Sequence, residues 1–156
     1  MKRSRKAATA TDEAAGFTDD ERAAMQDRAK ELKAAKRSKG GKAGKDEDAA
    51  AMAAKIAELG DADRQLAERL HALVTATVPE LAPKLWYGMP AYAKDGRVVL
   101  FLQPAHRFKT RYATLGFSDQ AKLDDGAVWP TAYAITGWSA ADEARIAALI
   151  RRAVGR

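Results

Sequence analysis

The chain has 156 residues, the usual length of a single domain, and a formal net charge of +6 at pH 7. It has no cysteine, which excludes disulfides, thiolate metal sites and cysteine nucleophiles. No apolar run approaches the roughly 18 residues of a membrane span. Residues 1–6 are basic, but they are not followed by the apolar segment of a signal peptide. We therefore expect a cytoplasmic protein without a membrane partner, weakly attracted to polyanions.

The first 48 residues are predicted to be a basic extension that precedes the folded domain. Residues 1–15 show no hydrophobic periodicity and are predicted to be disordered. Residues 38–44 contain three glycines and are predicted to be a flexible linker. The large apolar side chains cluster after Met52, so the domain itself is placed at residues 49–156.

One helix is predicted inside this extension, from about residue 19 to 37. Thr18 and Glu21 have the spacing of a capping box, which satisfies backbone amides at a helix start. The large apolar residues of this helix are few, and Met25 and Leu32 form only a thin stripe on one face. The helix is therefore expected to dock weakly, or only onto a partner.

Six cations without an intervening acid cover the end of this helix and the linker. They are Lys33, Lys36, Arg37, Lys39, Lys42 and Lys45. A solvated linker explains such a run. Sequence-independent contact with the phosphates of a nucleic acid explains it as well.

Two helices and then a series of short strands are predicted in the domain. The second helix should begin near Asp48 and end at Gly60, which suits a helix C-terminus. Its core-facing residues are Met52, Ile56 and Leu59, and those of the third helix are Leu66, Leu70, Leu73 and Val74.

After Lys84 the pattern changes from helical to β-like. Short β-like runs lie at Leu85–Tyr87 and Ala91–Ala93, and strands are predicted at Arg97–Gln103, Tyr112–Phe117 and Val128–Ile135. A hairpin turn is predicted at Asp95–Gly96 and one helical turn at Asp119–Leu123. Ser139 and Asp142 should cap a last helix, whose buried face is Ile146, Leu149, Ile150 and Val154. The predicted fold is α+β: N-terminal helices, an antiparallel or mixed sheet of about four strands, and a C-terminal helix packed on one face.

The segment Leu85–Tyr92 reads Leu-Trp-Tyr-Gly-Met-Pro-Ala-Tyr and resembles the YdhG-like family, a domain of unknown function. The resemblance covers about residues 49–154 and implies a helical pair, this motif, a hairpin, two more strands and a terminal helix. The chain departs from the more usual form between Tyr112 and Asp125. Some bacterial members are described as frataxin-like intracellular iron chaperones, so the resemblance implies iron as a possible ligand.

The residues themselves give little support for a metal centre. The only histidines, His71 and His106, lie on different predicted elements and form no His-x-x-x-His or His-Glu pair, so a zinc enzyme is not predicted. Weak iron binding would need hard oxygen ligands, and acids occur in four groups. All four groups lie at predicted helix starts or turns, where capping also explains them.

Aromatic and basic residues suggest a ligand site. Trp86, Tyr87 and Met89 surround a turn, and Lys109 and Arg111 would share one face if their segment is extended. The aromatic side chains would form the walls of a pocket and the cations would hold an anion. The alternative is that the aromatics belong to the core and the cations to a solvated face.

No catalytic motif accompanies these residues. The chain has neither a Gly-x-Ser-x-Gly elbow nor a Gly-x-x-x-x-Gly-Lys phosphate loop. The predicted function is a non-catalytic binding domain for a small ligand or metal ion. The alternatives are a nucleic-acid-associated protein that binds through the extension, and an enzyme without a familiar motif.

Overall fold

A computed structural model of the chain describes residues 16–37 and 41–156. The elements of these residues are, in order, α1 (Asp19–Arg37), α2 (Lys42–Ala57), α3 (Asp61–Thr77), β1 (Ala82–Trp86), β2 (Met89–Lys94), β3 (Arg97–Gln103), α4 (Ala105–Phe108), β4 (Ala113–Phe117), β5 (Ala132–Ile135) and α5 (Ala140–Ala153). The predicted disorder of residues 1–15 lies outside the described residues, as does Lys39 of the basic run.

The strands form one antiparallel sheet in the order β1-β2-β3-β4-β5. Each strand therefore pairs with the next along the chain, and tight turns join β1 to β2 and β2 to β3. The α+β class is confirmed, and the sheet is antiparallel with one strand more than predicted. The β2–β3 turn is also confirmed, because Asp95 and Gly96 both adopt the positive φ values, 52° and 79°, of a tight hairpin.

The core lies between the sheet and helices α2, α3 and α5. Its largest fully buried side chains include Met52, Leu70, Val74, Tyr92, Leu100, Leu102, Leu115 and Ile150. The predicted apolar stripes of the three helices supply many of these side chains. Each fully buried leucine or isoleucine stabilises the fold by roughly 1.5–3 kcal/mol relative to an exposed one.

The second helix is longer than predicted. It begins at Lys42, six residues before the predicted start near Asp48, and Gly44 lies buried inside it. Lysine, alanine and glutamate are good helix formers, so a single glycine does not prevent the extra turn. Gly60 does not end this helix in a left-handed conformation. Its φ is −62°, and it is the N-cap of α3.

Three other local predictions are wrong. Residues 119–123 form turns without a helix, and β5 is only the last part of the strand predicted from Val128. Pro130 precedes β5 and cannot donate to a strand ladder, which accounts for the late start. The segment before Tyr112 is not extended, because residues 105–108 form α4 and Lys109 ends it with a φ of 54°.

Both predicted capping boxes are present. The Ser139 side chain accepts a hydrogen bond from the Asp142 amide, and the Asp142 carboxylate accepts one from the Ser139 amide, at 3.1 and 2.8 Å. These hydrogen bonds lower the pKa of the Asp142 carboxyl below its ordinary value of 3.8. Thr18 and Glu21 form the equivalent pair at the start of α1, at 3.0 and 3.1 Å. Among the described residues, no helix is both long enough and apolar enough to cross a membrane.

Candidate functional site

The first three residues of the predicted ligand site lie together at the β1–β2 turn. Trp86 ends β1, and its ring contacts that of Tyr87 edge-on, with centroids 4.9 Å apart. Tyr87 and Gly88 both have positive φ values, 53° and 74°. Met89 begins β2 and is buried. The motif of the family resemblance is thus a tight turn between β1 and β2. Trp86 immediately precedes this turn and Tyr87 is its first residue.

The two predicted cations lie elsewhere. Lys109 is 78% exposed and its Nζ is 3.5 Å from the Asp20 carboxylate of α1. The guanidinium of Arg111 lies over the Tyr112 ring, 5.1 Å from its centroid, and lines a cleft on a different side of α4. Because Lys109 ends α4 in a left-handed conformation and is not part of an extended segment, these cations do not share one strand face.

Helix α1 covers the turn and contacts it through charged side chains. The Glu31 carboxylate accepts hydrogen bonds from the amides of Tyr87 and Gly88, at 2.9 and 2.8 Å. The guanidinium of Arg28 lies 5.3 Å from the centre of the Tyr87 ring. The turn at Tyr87 therefore holds a carboxylate of the protein's own helix, through backbone amides and not through the predicted cations.

Two further carboxylates of α1 complete this contact. Asp20 is 3.2 Å from the Arg107 guanidinium, and Asp27 is 3.2 Å from Lys55 Nζ. The only buried residue of α1 is the small Ala24. Ion pairs of such partly exposed side chains stabilise a contact by about 0–1 kcal/mol each. Helix α1 therefore docks on the domain, but loosely, and through its acidic face rather than its apolar stripe.

The apolar stripe predicted for α1 faces solvent. Met25 is 43% exposed and Leu32 is 49% exposed. The residues that contact the domain lie on another side of the helix. The regularly spaced residues of that side are acids and not large apolar residues. A search for hydrophobic periodicity cannot find such a face.

A separate cleft of about 330 Å³ lies between α3, the segment around α4, and the loop that joins β5 to α5. The side chains that give it chemical character are Gln65, Arg69, His106, Arg111, Tyr112 and Trp138. This volume is at the lower end of the range for small-molecule sites. The cleft can hold a molecule of roughly the size of one aromatic ring with one charged group.

Two aromatic side chains line this cleft. Trp138 directly precedes the capping box of α5 and packs against the core, and Tyr112 is 37% exposed with the Arg111 guanidinium over its ring. Asp63, at the base, is 4% exposed. Its carboxylate accepts hydrogen bonds from the amides of His106 and Arg107, at 3.2 and 2.9 Å, and so fixes the start of α4.

The electrostatic balance of the cleft favours an anion. Two guanidinium groups, those of Arg69 and Arg111, line it together with the single carboxylate of Asp63, which is engaged with backbone amides. In the described part of the chain, no ion pair involves either arginine. An entering carboxylate or phosphate therefore meets two guanidinium groups that form no ion pair with any residue the structure describes.

Of the residues that line this cleft, sequence reasoning placed only Arg111 in the predicted ligand site, and it considered His106 only as a metal ligand. It missed Gln65, Arg69 and Trp138. A local signal exists for two of them, since Gln65 and Arg69 are four residues apart and share a face of α3 next to its buried stripe. That this face meets the loop before α5 depends on tertiary packing, which the spacing does not reveal.

The other chemically notable residues lie apart from the cleft. His71 Nδ1 is 3.1 Å from the hydroxyl of the buried Tyr92, whose pKa is raised by burial. His71 also borders a mainly apolar groove of about 660 Å³ between α2 and α3. Within residues 16–37 and 41–156, no three His, Asp or Glu side chains are grouped so that they could hold a metal ion.

The described cations of the basic run surround the junction of α1 and α2. Lys33, Lys36 and Arg37 lie in the last turns of α1, and Lys42 and Lys45 lie in the first turn of α2, all exposed. None of these five forms an ion pair with another described residue. They form a positively charged corner on the outside of the domain.

Comparison with known proteins gives no further assignment. No protein-family model, curated protein or solved structure matches this chain.

Proposed function

We propose that this protein is a cytoplasmic, YdhG-like binding domain without catalysis of its own, and that it binds a small anionic molecule with a planar group in the cleft between α3, α4 and α5. The observation that carries the proposal is a pair of arginines, Arg69 and Arg111, beside two aromatic rings in one concave site, with no ion pair to either arginine among residues 16–37 and 41–156. Small-molecule sites have this composition, with apolar walls and a few polar groups that fix orientation.

Each part of the ligand has a counterpart in the cleft. Arginine donates two parallel hydrogen bonds to a carboxylate or phosphate, which orients the anion as well as attracting it. Trp138 and Tyr112 provide flat apolar surface for a ring. Because Arg111 is already stacked on Tyr112, less of its side-chain freedom is lost when the ligand binds.

A tryptophan fluorescence titration of the full chain with phenyl phosphate tests this proposal. Phenyl phosphate combines one ring with one phosphate, and Trp138 lies in the cleft to report its arrival. We expect a saturable change in emission that inorganic phosphate and benzyl alcohol, each with half of the ligand's chemistry, produce only at much higher concentration.

The three tryptophans provide a matched control. Trp129→Phe removes a partly buried tryptophan outside the cleft and should leave the saturable change in place, whereas Trp138→Phe should abolish it. A chain that shows no saturation with phenyl phosphate, or an equal response after Trp138→Phe, would contradict the proposal.

A second function is favoured by one observation, the five exposed cations at the junction of α1 and α2. They suit sequence-independent contact with nucleic-acid phosphates. Deleting residues 1–48 would cut into α2, so substitution is the cleaner test. We expect the quadruple variant Lys33→Ala, Lys36→Ala, Lys42→Ala and Lys45→Ala to lose retention of duplex DNA at low salt. Retention equal to that of the unchanged chain would exclude this surface as the DNA contact.

A further inference from the structure

The face of the domain beneath α1 is built to hold carboxylates, and we call it the carboxylate-binding surface. It consists of the backbone amides of Tyr87 and Gly88 and the side chains of Lys55, Arg107 and Lys109. These groups come from three separate parts of the chain: the β1–β2 turn, α2, and α4 with its C-cap residue. Folding of the domain is what brings them to one side.

The centre of this surface is the pair of amides. Successive backbone amides of a turn can point at one position, and such a concave arrangement is a known way of binding anions. Tyr87 and Gly88 have φ values of 53° and 74°, and their amides donate to the two oxygens of Glu31. The space above the turn is closely filled, since a Cβ on Gly88 would lie 3.2 Å from Asp27 Cγ.

Helix α1 shows which pattern this surface recognises. Its three contacting carboxylates, on Asp20, Asp27 and Glu31, stand at positions i, i+7 and i+11, with the small Ala24 at i+4. At a rise of 1.5 Å per residue, these carboxylates extend over about 16 Å along the helix axis. Alanine at i+4 lets the helix backbone approach the domain closely.

The resident helix is held in a way that allows it to leave. It buries no large apolar side chain, and Met25 and Leu32 face solvent. Its ion pairs are partly exposed, so salt screens them and water can replace them. A competing helix would bind in its place if it has the same charge pattern and if its apolar residues make contacts that those of α1 do not make.

We infer that the carboxylate-binding surface recognises an acidic α-helix of a partner protein, and that α1 is an intramolecular competitor that must leave first. The partner's helix carries carboxylates at i, i+7 and i+11 and a small residue at i+4. None of the five residues of this surface contributes a ligand contact in the proposed function above. Failure of one proposal therefore leaves the other standing.

Fluorescence anisotropy with the full chain tests this inference, with a labelled peptide of residues 16–37 as the probe. The variant Asp27→Ala/Glu31→Ala weakens the resident helix. The variant Asp46→Ala/Glu47→Ala removes two exposed acids of α2 and has the same net charge. We expect the first variant to bind the peptide at least tenfold more tightly than the control, since a tethered competitor acts at millimolar effective concentration.

Variants of the peptide separate specific recognition from general attraction to a basic protein. A peptide with Glu31→Gln should bind at least tenfold more weakly, whereas one with Asp19→Asn should be unaffected, because the side chain of Asp19 is 96% exposed. Circular dichroism checks that the variant chains are folded. If the variant Asp27→Ala/Glu31→Ala is not folded, the single variant Glu31→Gln of the full chain replaces it. Equal binding by the two full-length variants, or by the two peptides, would overturn the inference.

Discussion

Replacing both cleft arginines, in the variant Arg69→Ala/Arg111→Ala, is expected to weaken phenyl phosphate binding about a hundredfold. A hydrogen bond to a charged group contributes about 1.5–3 kcal/mol, and each 1.4 kcal/mol changes an affinity tenfold. The two arginines come from α3 and from the segment after α4, so each is expected to contribute at least one such contact. Isothermal titration calorimetry or the tryptophan signal measures the loss.

A matched variant guards against an effect of net charge alone. Lys94→Ala/Arg151→Ala also removes two exposed cations, and neither residue lines the cleft. Its affinity for phenyl phosphate should stay within about twofold of the unchanged chain. A similar loss in both variants would mean that the ligand responds to overall charge, and the cleft would then not be the binding site.

Gly116→Ala is expected to destabilise the fold by about 1–3 kcal/mol, the usual cost of inserting extra volume into a packed region. Gly116 of β4 lies opposite Phe101 of β3, and the Phe101 ring lies directly across the glycine. A Cβ on Gly116 would overlap this ring, with the ring's Cε2 only 2.8 Å away. The ring cannot easily retreat, because it also packs against Trp86, 5.0 Å between centroids.

A double-mutant cycle isolates this contact. In a Phe101→Ala background the space above Gly116 is open, so Gly116→Ala should cost less than half of what it costs in the unchanged chain. Urea denaturation followed by circular dichroism gives the four free energies of unfolding. Equal costs in the two backgrounds would show that the Phe101 ring does not fill this space in solution.

Much of the fold was predictable because its signals are local. The stripes of α2, α3 and α5, the capping boxes at Thr18 and Ser139, and the Asp95–Gly96 hairpin depend on residues within a few positions of one another. The helix start at Lys42 and the short α4 were missed where local signals conflict. In the first case, Gly44 lies among residues that favour a helix. In the second, cations at alternate positions gave the pattern that is typical of a strand.

The candidate site was predictable only in part, because it is assembled from distant segments. The sequence indicates that aromatics and cations could hold an anion, and the structure places the predicted aromatics and Arg111 at two separate sites. The carboxylate at Tyr87 is that of Glu31, 56 residues away in sequence, and backbone amides hold it. In the cleft, Arg111 meets Arg69 and Trp138 only through the packing of α3 and the loop before α5. An iron-chaperone role, which the family resemblance implies, stays a prediction.

The measurement that tests the central claim most directly is an amide nuclear magnetic resonance titration of the full chain with phenyl phosphate. We expect saturable shifts in the amides of the residues that line the cleft, namely Gln65, Leu66, Arg69, Arg111, Tyr112, Ala113, Thr136, Gly137 and Trp138. The amides of Tyr87 and Gly88, bonded to Glu31, should stay in place. Shifts confined to Tyr87 and Gly88, or no saturable shifts at all, would contradict the claim.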